Sequence, residues 1–407
     1  MHLIENKIRK IPTYFLPLSL FFILISSAAT NFFILLSVIS AIILCIQKRH
    51  LNYLIENKSM LICIIIFISL AFSSLYSIAE YTQIIEVLKK YIKFLYIPIL
   101  YYLVKIYDNK YLLIKFFLYG CSIILLFSYL KFFSIFEFEF FYDFLEKVNL
   151  ANVKEKIVEN KTAIFQHYII QGIVLSFYSF LCLYLGIKNK SKIYFIFSGL
   201  AFINVLFMND SRTAYILIIC LLFLGLFTIL KNSKAIISIL IILASLFFSQ
   251  FSENLERRFE VLNTDFNYIQ EGNYNSSLGL RFIWFKVGSD ILKNKPTFGY
   301  GVGSFKKSAE NYYKKNNMSA YEKYVTNNPH NEFISISSQL GVFGLILYSG
   351  FILFLFYENR NNILGIAVAM TILISSIFNS AFYDNMLGLF LVIIICLTQK
   401  TKQKVLQ

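Results

Sequence analysis

Apolar runs of membrane-spanning length recur from one end of this chain to the other, and no soluble fold of its size has an interior that could hold them all. A span needs ~20 apolar residues, with about 17 to 25 tolerated. Twelve segments meet that requirement: residues 13–29, 31–46, 60–77, 91–106, 111–133, 163–187, 192–208, 213–230, 235–250, 333–356, 362–380 and 384–398. With 57% hydrophobic and only 15% charged residues, the polar remainder cannot cover so much apolar surface. The chain therefore reads as an all-α polytopic membrane protein of about 12 transmembrane helices, with 44 Phe and 28 Tyr available for lipid-facing surfaces and interfacial ends.

The charges say how the spans are oriented. A formal net charge of +15 would suit a nucleic-acid partner, but many of the basic residues lie in short gaps between apolar runs, so no nucleic acid is expected. With the N-terminus in the cytoplasm, every inside gap is basic: Lys7, Arg9 and Lys10 first, then Lys48, Arg49 and Lys58, with further Lys or Arg at each later inside turn through Lys400, Lys402 and Lys404. The short outside gaps near 30, 210 and 382 contain only Arg212. That asymmetry obeys the positive-inside rule and puts both termini in the cytoplasm, although Lys89 and Lys90 at an outer gap run against it. The basic N-terminal stretch before the first apolar run is read as the flank of a retained span, not as a cleaved signal. The six cysteines all fall inside apolar runs, with no pair at metal-ligand spacing, and read as small buried hydrophobes.

Two outer segments are longer. Ser134–Thr162 is mixed in charge and aromatic, the pattern of an amphipathic helix on the outer leaflet. Residues 251–332 form the largest polar insertion, with eleven Lys/Arg and nine Asp/Glu, a balance that suits a folded loop. Three regions follow: 1–250 with spans one to nine, 251–332 as a large, partly helical outer loop, and 333–407 with spans ten to twelve and a cytoplasmic tail. Within the loop, Leu280–Val287 (LRFIWFKV) has helical apolar recurrence around the single tryptophan, Trp284, and Ser304–Lys315 gives a second helical stretch. Between them, Pro296, Gly299, Gly301 and Gly303 form a breaker cluster. GYGVG looks only superficially like a dinucleotide loop, because it follows no strand of a βαβ unit.

Few residues have the chemistry for a site. His330, in Asn327–Tyr348 (NNPHNEFISISSQLGVFGLILY), follows Pro329 and two cap-forming asparagines, so a helix is expected to start there. A histidine at a helix N-terminus favours its neutral form and neighbours unpaired N–H groups, which suits a proton acceptor beside an anion; the alternative is a histidine that caps the helix or faces water. Arg212, in NDSRTA at an outer span end, is either a guanidinium fork for phosphate oxygens or an arginine that snorkels to headgroups or pairs with Asp210. Arg281 lies one helical turn before Trp284 and reads as a solvated surface residue unless it joins Arg212 in clamping a diphosphate. His167 reads first as a satisfied structural histidine and second as a site residue. Lys89, Lys90 and Lys93 at an outer span start, and Asp384 in the FYDN gap, read as structural groups first and as contacts to a lipid-linked anion or to an arginine second. No His/Cys/Asp/Glu set has zinc spacing. Glu137 and Glu139 make at best a weak metal pair, so no metal or cofactor is expected.

SRTA at the start of span eight, RFIWFKVGSDILKNKPTFGYGVGSF in the loop and HNEFISISSQLGVFG at its exit resemble the O-antigen ligase family, within the O-antigen ligase/polymerase superfamily. Sequence likeness is concentrated between Arg212 and Gly344; topology matches over the whole chain. The resemblance implies a metal-independent, inverting glycosyltransferase of the bacterial inner membrane with its site facing the periplasm. It would move a glycan from undecaprenyl diphosphate to a sugar hydroxyl of lipid A-core, with Arg212 and Arg281 on the diphosphate and His330 as base; Trp284, His167, Lys90, Lys93 and Asp384 are candidate substrate contacts. An O-antigen polymerase or a protein-directed oligosaccharyltransferase would share the carrier. A lipid-linked glycan flippase, from another class, would carry charges within its spans instead of at their outer ends.

Overall fold

The computed structural model describes residues 12–135, 162–229 and 253–398, and among them the chain is helical without strands. Fifteen α-helices follow in order: α1 (Pro12–Phe21), α2 (Ser27–Lys48), α3 (Lys58–Ser73), α4 (Tyr81–Tyr91), α5 (Lys93–Tyr107), α6 (Lys110–Phe132), α7 (Tyr168–Asn189), α8 (Lys192–Ile203), α9 (Arg212–Ile229), α10 (Glu253–Gln270), α11 (Ser277–Asn294), α12 (Phe305–Lys315), α13 (Glu332–Glu358), α14 (Ile363–Phe378) and α15 (Asn385–Ile395). Four of them, α2, α6, α7 and α13, are long and apolar enough to cross a membrane, and α1, α3, α8, α9, α14 and α15 are shorter apolar helices. The expected span 235–250, most of Ser134–Thr162 with Glu137 and Glu139, and both chain termini lie outside the described residues.

Turns between helices are made with polar residues in left-handed backbone. Arg49, Asp108 and Lys190 close α2, α5 and α7 at φ 52°, 48° and 52°. The helices then sort into neighbours: α1 lies against α2 and α6, α7 against α8 and α9, α3 against α13, and α14 against both α9 and α13. Some buried polar groups join helices inside the bundle. Ser179 Oγ donates to Ser198 O at 2.8 Å while Ser198 Oγ donates back to Ser179 O at 2.9 Å, which stitches α7 to α8.

Several expected elements are more broken than their hydropathy suggests. The gap at 78–90 contains α4, an amphipathic helix, and span four is the separate helix α5. Span seven ends in a π-helical stretch, Asn204–Met208. The most consequential break is in α13, expected as one helix over 333–356: Gly341 adopts φ 66°, ψ −155°, a backbone that interrupts the hydrogen-bond ladder.

The glycine-rich cluster of the loop supplies what that ladder loses. Tyr300 N and Gly301 N donate to the carbonyls of Ser338 (3.1 Å) and Gln339 (3.0 Å), while Val342 N and Phe343 N donate to Pro296 O (2.7 Å) and Thr297 O (3.3 Å). From its other side the same turn holds the end of α3. Ile78 N donates to Tyr300 O (3.2 Å), Val302 N to Ser73 Oγ (3.0 Å) and Ser77 Oγ to Val302 O (2.7 Å). GYGVG is therefore a strap that joins α3 to the break in α13. At the opposite ends of these two helices, Glu358 accepts from Ser59 N (3.2 Å) and Ser59 Oγ (2.5 Å), so the pair is pinned at both ends.

The strap predicts a graded response to added methyl groups. A Cβ on Gly299, at φ 65°, would stand 2.6 Å from Ser338 O, so Gly299→Ala should cost about 1–3 kcal/mol and lower the melting temperature in detergent by several degrees. Gly199→Ala on α8, where a Cβ meets nothing within 4 Å, should melt no lower than the wild type. Equal melting of the two variants would mean that the strap does not hold α13.

Candidate active site

The candidate site gathers where α7, α9, α11 and the start of α13 meet. Each contributing end is fixed locally. Ser211 caps α9 by accepting from Ala214 N at 3.2 Å, and Asn209, fully buried, accepts from Ser211 N at 2.8 Å. Asn209 Nδ2 donates to Tyr168 O at 3.1 Å, which ties the segment before Arg212 to the first residue of α7. Gly172 permits this approach, because a Cβ there would lie 2.8 Å from Ala214 Cβ. His167 and Arg212 are thereby brought to one corner.

On α11, Arg281, Trp284 and Gly288 recur at helical spacing and share a face. Ser276 caps that helix through Gly279 N at 3.1 Å. Gly288 lets it close on Ile334 of α13, where a Cβ would meet the Ile334 side chain at 2.7 Å. Trp284 then reaches His330: the two rings lie 5.3 Å apart between centroids and tilt by 32°.

The helix does not begin at His330 as its sequence suggests. It begins at Glu332, with Asn331 as cap accepting from Ile334 N at 3.0 Å. Asn331 wins because its short amide reaches the free N–H while its backbone is extended. His330 stands just before the cap in left-handed backbone (φ 50°), its N–H donating to Asn328 Oδ1 at 3.0 Å. Asn328 Nδ2 in turn donates to Asp384 Oδ1 at 3.1 Å. The imidazole is thus held by Trp284 on its ring and by Asn328 on its backbone.

The electrostatics favour a neutral imidazole. Burial, then the positive charge of Arg281, then His167, depress the His330 pKa from 6.5 to about 4. The Arg281 guanidinium is itself pushed down by burial and by the charge of Arg212, with Tyr168 acting the other way. Arg212, Arg281, His167 and His330 therefore share one electrostatic neighbourhood. The acid that pairs with Arg212 is Asp265 of α10, at 3.6 Å, a buried carboxylate that local sequence did not reveal.

The remaining candidates divide differently. His167 caps α7, its Nδ1 accepting from Ile169 N at 3.3 Å, and stacks on Tyr168 at 4.3 Å between centroids, so it is first of all a structural histidine at the rim of the site. Lys93 is buried and donates to Lys90 O (3.1 Å) and Phe382 O (2.9 Å), which fastens the 379–384 turn. Lys90 pairs with Glu86 at 2.8 Å and sits 3.9 Å from the centroid of the Tyr383 ring. Glu332, also fully buried, accepts from Phe382 N at 2.8 Å and was not singled out by sequence; its place after a capping asparagine was the available signal. Among the described residues no three His, Cys, Asp or Glu side chains stand together as a metal-binding group.

These features define a helical protein with several membrane-length apolar helices and a partly buried cationic site where α7, α9, α11 and α13 meet. Residues 195–349 match the family model described as O-antigen ligase. The matched region includes Arg212, Asp265, Arg281, Trp284 and His330 and leaves out Lys90, Lys93, His167 and Asp384. No curated protein matches the chain.

A neutral His330 can be checked directly. Carbethoxylation requires an unprotonated imidazole, so the His330 peptide should still be modified at pH 5, with a midpoint near 4, as followed by mass spectrometry. Because Arg281 lowers the His330 pKa, Arg281→Gln should move that midpoint upward. A wild-type midpoint of 6.5 would contradict the geometry.

Proposed function

We propose that this protein is an O-antigen ligase: a glycosyltransferase that moves a glycan from undecaprenyl diphosphate to a sugar hydroxyl of lipid A-core, in lipopolysaccharide biosynthesis. The observation that carries this reading is that His330, kept neutral, shares its electrostatic neighbourhood with Arg281 and, through it, with Arg212. The family match to residues 195–349 supports a lipid-linked donor. In the proposed topology about 12 spans cross the bacterial inner membrane, both termini are cytoplasmic, and the 251–332 loop with its site faces the periplasm.

The chemistry assigned to each group follows from its charge. Arg212 and Arg281 present guanidinium forks to the diphosphate and stabilise the charge that grows on it as the bond to the sugar breaks. The acceptor hydroxyl attacks the anomeric carbon from the opposite face. A new C–O bond forms, the old C–O bond breaks with its electron pair going to the diphosphate, and the hydroxyl proton passes to His330. One displacement inverts the anomeric centre, and no metal takes part in the proposed step. Trp284 positions the imidazole, and Asp265 balances the Arg212 charge.

Deletion of the gene, followed by gel analysis of lipopolysaccharide, should leave bare core and accumulated lipid-linked polymer; core bearing a single repeat would indicate a polymerase instead. In purified protein His330→Ala should lose about 100-fold or more of the transfer rate while inserting normally. Arg281→Lys, which keeps the charge and loses the fork, should retain only a small part of the activity. Transfer should survive a chelator, and its loss on adding EDTA would refute the metal-free step.

A further inference from the structure

Helix α10 packs against α11 and against the π-helical stretch that precedes Arg212. Leu262, Asp265 and Ile269 recur at helical spacing and form its inward stripe. Leu262 and Ile269 are half-buried, and between residues 260 and 270 Asp265 alone is buried. A helix docked by apolar contact alone would carry a leucine or isoleucine at that seat. A carboxylate there has given up its water, and its charge has to be answered from within the protein.

The answer comes from Arg212, and it is electrostatic without being orienting. Asp265 Oδ2 stands 3.6 Å from Arg212 Nη2, longer than the ~2.7–2.9 Å of a charge-assisted hydrogen bond, and among the described residues no donor reaches that oxygen. A carboxylate that held the guanidinium in place would accept two parallel N–H bonds from its fork. This one lends its charge and leaves the fork open, with 28% of the Arg212 side chain exposed against 7% of Asp265. Among the described residues no carboxylate pairs with Arg281, although the Arg212 charge is felt there. The two guanidinium groups are thus only half neutralised. An anion that took both would stand beside Asp265 and be repelled in proportion to its own charge. On the transferase reading the donor is a diphosphate diester. The carrier it leaves behind is a monoester with one more ionisable oxygen, and so the more highly charged of the two.

We propose that Asp265 is a resident counter-ion with which a diphosphate has to share Arg212, and that it weakens binding of the released carrier more than binding of the donor. The inference rests on the transferase reading above for the identity of the two ligands. Inorganic pyrophosphate, titrated into the purified protein at low ionic strength and followed by calorimetry, reads the cationic pair without turnover. Asp265→Asn is nearly isosteric and leaves Arg212 in contact with water, so it should fold and bind pyrophosphate about five- to tenfold more tightly. Asp265→Leu, which suits the inward stripe of α10, should show the same gain. Glu260→Gln removes an equal charge from an exposed position of the same helix and should change the Kd by less than about twofold. Damage to the fold cannot raise affinity, so the gain separates a counter-ion from a residue that merely supports Arg212. Weaker or unchanged binding in both Asp265 variants, an equal gain in Glu260→Gln, or no binding to any of these proteins would overturn the proposal. In transfer assays inhibition by undecaprenyl diphosphate should deepen in Asp265→Asn by more than the donor KM falls; an equal change in both would remove the discrimination. Tighter pyrophosphate binding without transfer from any donor would remove the transferase reading and leave the counter-ion standing.

Discussion

The break in α13 at Gly341 is the constraint on which the site depends. A helix interrupted in apolar surroundings exposes backbone groups that cost several kcal/mol each unless they are paired. Here the 296–303 turn pairs them, and by reaching Ser73 and Ser77 it also fixes the break to α3. The segment from Glu332 to Leu340 becomes a short helix of set direction, clamped at its far end by the strap and at its near end by α11 through Gly288 and Ile334. His330 precedes that segment directly. Its position follows from packed helices and a paired turn, which is the rigidity an acid–base group needs.

That rigidity also holds an electrostatic arrangement that water would not allow. Lowering an imidazole from 6.5 to about 4 makes it roughly 3 kcal/mol harder to charge than in water. Burial and Arg281 are the larger causes, so the His330 imidazole is kept neutral by the same positive charge that would attract an anion. The sign for stability follows. The unfolded chain takes up a proton at His330 as pH falls below 6.5 and the folded chain does not until about 4, so this group draws stability away over that interval. Above 6.5 it costs nothing. Asp265 beside Arg212 offsets part of the repulsion between the Arg212 and Arg281 charges.

Hydropathy was enough to find the apolar helices, because a span must be apolar wherever its neighbours lie. It could not find α4, whose polar face hides it among gap residues, or the α13 break, because LGVFG is apolar on both sides of Gly341. The glycine cluster was legible as a breaker, but its partners in α3 and α13 are distant in sequence. Arg212, Arg281 and His330 stand out in the sequence by their motifs, and the structure brings them into one electrostatic neighbourhood. Asp265 was not, since nothing near Arg212 in the chain points to α10, and Asp210 was the nearer acid to consider. The helix start was misplaced by two residues because Pro329 and the Asn327–Asn328 pair imitate a cap, while Asn331 provides the real one.

The same asparagine-rich loop stands among charged groups of both signs, which would draw on one another if they were left unpaired. What keeps them apart is that each is occupied: Lys90 by Glu86 and Tyr383, Arg212 by Asp265, Asp384 by Asn328. Asn328 is suited to the middle position because an amide donates to the carboxylate and accepts from the His330 N–H at once. An aspartate there would lose the donor and repel Asp384, and an alanine would leave the left-handed backbone of His330 without its hydrogen bond. The loop thus fixes the Asp384 carboxylate and the His330 backbone through one amide.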